Sequence, residues 1–193
     1  MLYWGPGSRV AMVVLGLVLA GHAHAQTAVP EGYTDTLNWY HQQAEAGNAR
    51  AQFLLAIKYE TGTDVAKDLT RAAGLYERAA RQGLADAQFK LATLLQTGRG
   101  RTADRRAAEL WYRAAALQAH PPAQFNLGVL LLNDAESDDD AAEAISWVLR
   151  ADRAGLAAAA ALTARLPGAH SEETIRNARE LAQVPLSRDG NTR

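Results

Sequence analysis

The sequence predicts an all-α fold, a right-handed α-solenoid of antiparallel helix pairs. Three observations carry this. A unit of 36 residues recurs three times in register. Alanine supplies much of the 48% hydrophobic content, and it has the best intrinsic helix propensity. Val and Ile are sparse after the first thirty residues, which argues against a sheet. A chain of 193 residues can bury one proper core. Its formal net charge of -1 argues against a nucleic-acid footprint. It has no cysteine, which removes disulfides, thiolate nucleophiles, Cys-based zinc sites and a lipidated terminus together.

The first element is an address. Arg9 is the only charge before Glu31, the apolar run Val10–Ala20 follows it, and Ala23 and Ala25 frame a small-residue site. This is the three-part pattern of a secretory signal, with cleavage expected after Ala25. The apolar run is too short for a spanning helix, which needs about 20 residues; an uncleaved anchor is the alternative. The mature chain is therefore expected in the periplasm of a Gram-negative cell, or outside the cell in another host. Residues 26–35 are expected as a linker.

The repeats follow. Asn48–Gly83, Leu84–Ala119 and His120–Gly155 align, each opening on Ala-Gln-Phe: Ala51-Gln52-Phe53, Ala87-Gln88-Phe89 and Ala123-Gln124-Phe125. Leu55, Leu91 and Leu127 coincide, followed by the small residues Ala56, Ala92 and Gly128. Ala72, Ala108 and Ala144 coincide later in the unit, then Leu75, Trp111 and Trp147, then Tyr76, Tyr112 and Val148. In the first predicted helix, Ala51, Leu55 and Tyr59 form one stripe. Gly62 breaks the backbone after it, as Gly98 and Gly100 do in the next unit. Asp68 and Asp104 stand where N-caps of the second helices belong. The units close at Gly83, Ala119 and Gly155, where a glycine suits positive φ after a helix. Before the array, Trp39-Tyr40 and Gly47 make residues 36–47 a half repeat. After it, residues 156–166 read as a degenerate first helix ended by Pro167-Gly168, and residues 171–184 as a closing helix capped by Ser171. Residues 185–193 are expected as a disordered tail. No single unit can bury its stripe alone; stacking does so.

These residues resemble the Sel1-like repeat, a relative of the tetratricopeptide repeat. The first unit carries the pattern through Ala51, Leu55, Tyr59, Gly62, Val65, Asp68, Ala72, Tyr76, Ala79, Ala80 and Gly83, and departs at Ala56, Asp64 and Leu75. The second carries Ala87, Leu91, Gly98, Gly100, Asp104, Ala108, Trp111, Tyr112, Ala115 and Ala116, with Leu95 in place of the tyrosine. The third keeps Ala123, Leu127, Gly128, Asp140, Ala144, Trp147 and Ala151 but has Asp134 and Glu136 for its loop glycines. The resemblance implies protein–protein interaction. It makes an adaptor or regulator of an envelope complex the expected role, with an immunity protein against a periplasmic toxin as the alternative. The expected partner is another protein or peptide segment of the cell envelope.

Catalysis finds little support. Ser137, Ser146, Ser171 and Ser187 lie in no nucleophile-elbow setting. His41, His120 and His170 are far apart in a chain whose units touch only their neighbours. A hydrolase is thus disfavoured, and no catalytic residue, cofactor or metal is assigned. The acidic run 134–140 lacks the glycine and glutamate spacing of a calcium loop. It reads as a solvated loop whose acids cap the next helix, or, with Asp138 and Asp139, as a patch for a basic partner. Arg99, Arg101, Arg105 and Arg106 read as a solvated face or a site for an acidic partner, and an ion pair between adjacent loops competes with binding. Phe53, Phe89 and Phe125, with Ile57, Thr93 and Val129 near them, fall off the Ala51–Leu55–Tyr59 stripe. They are expected either to line the concave face as an aromatic ladder for a bound segment or to pack between units.

Overall fold

The computed structural model describes residues 33–186. The expected signal segment 1–25, residues 26–32 and residues 187–193 lie outside the described residues. The described chain runs α1 (Tyr33–Glu45), α2 (Ala49–Thr61), α3 (Leu69–Arg81), α4 (Ala85–Thr97), α5 (Arg105–Ala116), α6 (Pro121–Asp134), α7 (Asp138–Arg153) and α8 (Ala157–Thr163). A 3-10 turn at Leu166–Gly168 and α9 (Glu172–Gln183) complete it. Each helix from α1 to α8 packs on the next, and α9 returns to pack on α7. This is an all-α solenoid in which α2–α3, α4–α5 and α6–α7 are the pairs, α1 is a second helix without its first, and α8 is a short first helix.

Local sequence sets the helix ends. Asn48, Asp68, Asp104, Ser137 and Ser171 each accept a hydrogen bond from a backbone N–H in the first turn of the helix that follows, which satisfies one of its free amides. His120 does the same through Nδ1. The connections between units turn at positive φ on Gly47, Gly83, Ala119 and Gly155.

Three boundaries differ from expectation. Helix α1 begins at Tyr33, inside the expected linker. Pro185 and Leu186, expected in a disordered tail, are part of the described chain, and Leu186 is partly buried against the main core. The third loop is the largest difference. The first two units cross from one helix to the next over seven residues, 62–68 and 98–104. In the third, α6 runs to Asp134 and α7 begins at Asp138. Asp140 does not cap α7; Ser137 does, and Asp140 accepts back from the Ser137 backbone in a capping box. With a capping box available one turn earlier, and no glycine to hold the longer loop open, the helix extends backward.

The core combines closely packed small residues and two tyrosines with leucines such as Leu91, Leu94, Leu127 and Leu130. Ala72, Ala73, Ala79, Ala108, Ala115 and Ala116 are all inaccessible, as are Tyr76 and Tyr112. A second cluster joins Ala142, Ile145 and Leu149 of α7 to Leu166 and to Ile175, Ala178 and Ala182 of α9, so the closing helix covers what would otherwise be the open end of the stack.

A row of buried glutamines ties the units together. Gln52, Gln88 and Gln124 donate to the carbonyls of Ala44, Ala80 and Ala116 at 3.0, 3.2 and 3.1 Å, each at the end of the preceding helix. Gln82 and Gln118 in turn donate to Gln52 and Gln88 at 2.8 and 2.7 Å. These bonds satisfy helix-end carbonyls that stacking removes from water.

Candidate functional site

The phenylalanine row is not an exposed ladder. Phe53 is only 9% accessible, and its ring meets that of Tyr76 on α3 at 5.7 Å. Phe89 meets Tyr112 at 6.0 Å and His120, the cap of the next helix, at 5.0 Å. Phe125 packs against the cluster of Val148, Ala151 and Ala159. Each ring packs on its own unit's second helix, and Phe89 and Phe125 also meet the unit that follows. The helices α2, α4 and α6 are flanked on two sides, so residues off the first stripe are buried by the second contact. Ile57 is partly buried against the core, and Val129 is half-buried. Thr93 donates to the Phe89 carbonyl at 3.0 Å, and its hydroxyl lies 3.2 Å from that of Tyr112.

Much of the loop charge is also used internally. Arg101 pairs with Glu77 on α3. Arg105 pairs with Asp134 and donates to the Leu130 carbonyl, joining the second and third loops. Arg113 bridges Glu109 and Glu143 at 3.1 and 3.0 Å. Arg99, Arg106, Asp138 and Asp139 remain exposed. Among the serines considered as nucleophiles, Ser137 and Ser171 are N-caps and Ser146 donates to the Glu143 carbonyl.

Between units runs a polar seam whose chemistry changes along the array. In the first, the Tyr76 hydroxyl donates to Glu60 at 2.6 Å, and Lys90 of the next unit donates to the same carboxylate at 3.1 Å. In the second, the Tyr112 hydroxyl donates to Gln96 at 2.8 Å and accepts from Asn126 at 3.2 Å. At the same places the third has Leu132, Val148 and Leu162. The seam is thus ionic, then amide, then apolar. Burial works to raise the Glu60 pKa, but the hydrogen bonds from Tyr76 and Lys90 and the charges of Lys90 and Arg99 outweigh it, leaving the carboxyl below its usual range. A carboxyl with a lowered folded pKa stabilises the fold above its unfolded value and loses that contribution as pH falls through the folded one. Glu60→Gln, which copies the second seam, is therefore expected to cost about 1 kcal/mol at neutral pH. The gap to wild type should close below about pH 4. Urea titrations at two pH values check this, and a gap independent of pH would contradict it.

At the start of the array, departures from the repeat leave a concave site with an apolar floor. A groove of about 350 Å³ opens between α1 and α3 over α2. Leu55 and Tyr59 form its floor; His41, Ala44 and Glu45 form one wall, and Arg71, Gly74, Leu75 and Arg78 the other. Arg78 donates to the Ala44 carbonyl at 2.8 Å, which spans the groove at one end. The Arg71 guanidinium lies 5.6 Å from the centre of the Tyr59 ring and 3.3 Å from Asp68. One and two repeats on, the place of Leu75 is held by Trp111, partly buried against the main core, and by Trp147, which belongs to that core. Gly74 is matched by Leu110 and Ser146. The first groove has a leucine where the other two units carry an indole. Sequence alignment placed Leu75 among the departures from the pattern, but not as an opening; the missing indole opposite two retained ones was the available signal.

Stacked helix pairs, capped at one end, with seams closed by glutamines and tyrosines, define a helical repeat protein of the class that presents surfaces to other proteins. The Sel1 repeat profile matches residues 49–84, 85–120 and 121–155; the chain belongs to the Sel1 repeat family, whose members generally serve protein–protein interaction. Two solved structures are similar. A Sel1 repeat protein from Oxalobacter formigenes aligns with a TM-score of 0.55 at 28% identity, over 64% of this chain and 55% of its own. The protective antigen c5321 of uropathogenic Escherichia coli, which displays the same repeat fold, aligns with a TM-score of 0.55 at 23% identity, over 79% of this chain and 40% of its own. This chain therefore spans about half the length of the first and less of the second. No curated protein sequence matches it.

Proposed function

We propose that the chain is a non-catalytic scaffold of the periplasm, an adaptor or regulator that holds a protein partner of an envelope complex. The observation that carries the binding role is the open groove between α1 and α3. Glutamines and tyrosines fill much of the seams between repeats, and here the array leaves a recess with an apolar floor and two arginines at its wall. Rigid stacked helices present such a recess ready formed, so little ordering entropy is lost when a partner enters. The periplasmic assignment rests on the Arg9, Val10–Ala20 and Ala23-x-Ala25 pattern. With the phenylalanines committed to packing, a concave-face site has lost its aromatic anchors, and the groove takes their place in this reading.

The test is in two parts. Cell fractionation should recover a processed chain in the periplasm, and arginine at Ala23 and Ala25 should block the processing; recovery in the cytoplasm would remove the compartment. Cross-linking in cells should then capture a discrete envelope protein, with hydrogen-exchange protection on α1–α3 in the purified complex. Protection confined to α7–α9 would move the binding face elsewhere.

A further inference from the structure

We propose that the groove between α1 and α3 is a socket for an aromatic side chain, tryptophan above all, presented on an acidic segment of the partner protein. This deepens the scaffold reading and rests on it. The protein contains its own template for the occupant. The repeat frame puts Leu75, Trp111 and Trp147 at one position on α3, α5 and α7. In the later repeats the chain's own indole is taken up by the main core, Trp111 partly buried against it and Trp147 within it. In the first, the shorter Leu75 leaves that space open, and Gly74 widens it: a Cβ built on Gly74 meets no atom within 4 Å.

The guanidinium that would greet an incoming ring is also present in a filled copy. Arg150 lies two repeats after Arg78. Its guanidinium sits 5.5 Å from the Trp147 ring centre, and it donates to the carbonyls of Leu181 and Val184 on the closing helix. Arg78 is held from the other side, by the Ala44 carbonyl of the preceding helix α1, where Arg150 reaches forward to the helix that closes the stack. A ring entering the first groove would meet the guanidiniums of Arg71 and Arg78 at its wall, where a cation–π contact of the kind Arg150 makes with Trp147 is within reach. Apolar contact comes from Leu55, Tyr59 and Leu75.

Charge selects the segment around the ring. Arg71 and Arg78 line one wall of the groove, against one lining carboxylate, Glu45, which is exposed at the opposite wall. Arg71 is two-thirds exposed at its side chain and shares its charge only with Asp68 nearby. Acidic residues flanking the aromatic would meet this excess, and basic ones would be repelled, so electrostatics gives the site its choice of partner. A second copy of this chain is the competing occupant, since Leu110 is 67% exposed on α5. It fits less well, because Leu110 is flanked by Arg106 and Arg113.

The test uses the purified chain and a fluorescein-labelled heptapeptide with one central tryptophan between aspartates, read by fluorescence polarisation. Two control peptides replace the tryptophan with alanine or the aspartates with asparagine. The tryptophan peptide is expected to bind, and each control to bind at least about tenfold more weakly. Leu75→Trp, which restores the residue of the later repeats, should abolish binding while keeping the helical circular dichroism and thermal midpoint. Gly74→Leu, the residue of the second repeat, is the second variant should Leu75→Trp fail to fold. Equal binding of the tryptophan and alanine peptides, binding untouched by both filled variants, or no binding at millimolar peptide would overturn the socket. So would self-association in sedimentation that either filled variant abolishes, because the occupant would then be a second copy. An envelope partner that binds Leu75→Trp as tightly as wild type would leave the scaffold standing and remove the socket alone.

Discussion

Gly128→Ala is expected to destabilise the protein by about 3 kcal/mol, although the same place holds alanine in the first two repeats. A Cβ at Gly128 would lie 2.6 Å from Val148 Cγ2 and 2.7 Å from the Ala144 carbonyl oxygen. Helices α6 and α7 approach so closely because two changes go together. Val148 replaces the tyrosines that stand at this place in α3 and α5, and Gly128 removes the methyl group of Ala56 and Ala92. The third pair gives up a tyrosine-centred polar seam for close apolar contact. Thermal and urea unfolding measure the effect; for a domain of this size the midpoint should fall by roughly 10 °C. Val148→Ala in the same chain should recover part of the loss, since it relieves the contact with Cγ2 but not the one with the Ala144 carbonyl. Full recovery, or a single-variant cost under about 1 kcal/mol, would mean that the helices separate freely.

Gly100→Ala should cost about as much, roughly 3 kcal/mol, for a different reason. Gly100 turns at φ +73, and a Cβ there would overlap the carbonyl of Leu69 at the start of α3 and approach Leu69 Cβ to 2.9 Å. The backbone of the second loop is laid against the first residue of the preceding unit's second helix, so this glycine sets the stacking distance between repeats. Two comparisons separate the contact from the conformation. Asp64 occupies the same place in the first unit with φ 70, its carboxylate paired with Lys58, so positive φ is tolerated there by a residue that visits this region. Gly83 has φ +88 but no atom within 4 Å of a built Cβ, and Ala119 holds the equivalent turn at φ 57. Gly83→Ala should therefore cost only about 1 kcal/mol. If Gly100→Ala and Gly83→Ala were equal in chemical denaturation, the contact with Leu69 would contribute nothing.

Both glycines were visible in the sequence, and neither effect was. Gly128 belonged to a column of small residues, where Ala and Gly look interchangeable until the opposing helix is placed. Gly100 read as a break between helices, which it is, but its partner, Leu69, is in another unit. The buried glutamines show the same limit. Gln52, Gln88 and Gln124 recur inside the tripeptide that first revealed the repeat, yet glutamine is ordinarily a surface residue. A polar side chain kept three times within a buried stretch was the signal that it answers a buried carbonyl.

The phenylalanines mark where helical geometry alone misleads. A wheel separates Phe53, Phe89 and Phe125 from the Ala51–Leu55–Tyr59 stripe, and an isolated amphipathic helix would expose what lies off its stripe. In a stack the next unit covers that second face, as the Phe89–His120 contact shows.

The sequence by itself determined the class of fold, the helix pairs, their period and the family, because capping, helix propensity and the apolar stripe act over a few neighbouring residues and repeat in register. Only the tertiary structure decided which off-stripe residues are buried, which charges are spent between loops, how closely α6 and α7 approach, and where the surface stays open. Each of those depends on a side chain one repeat away. An indole missing from α3 becomes a groove only because α1 and α2 complete its walls, and no local pattern in the chain contains that fact.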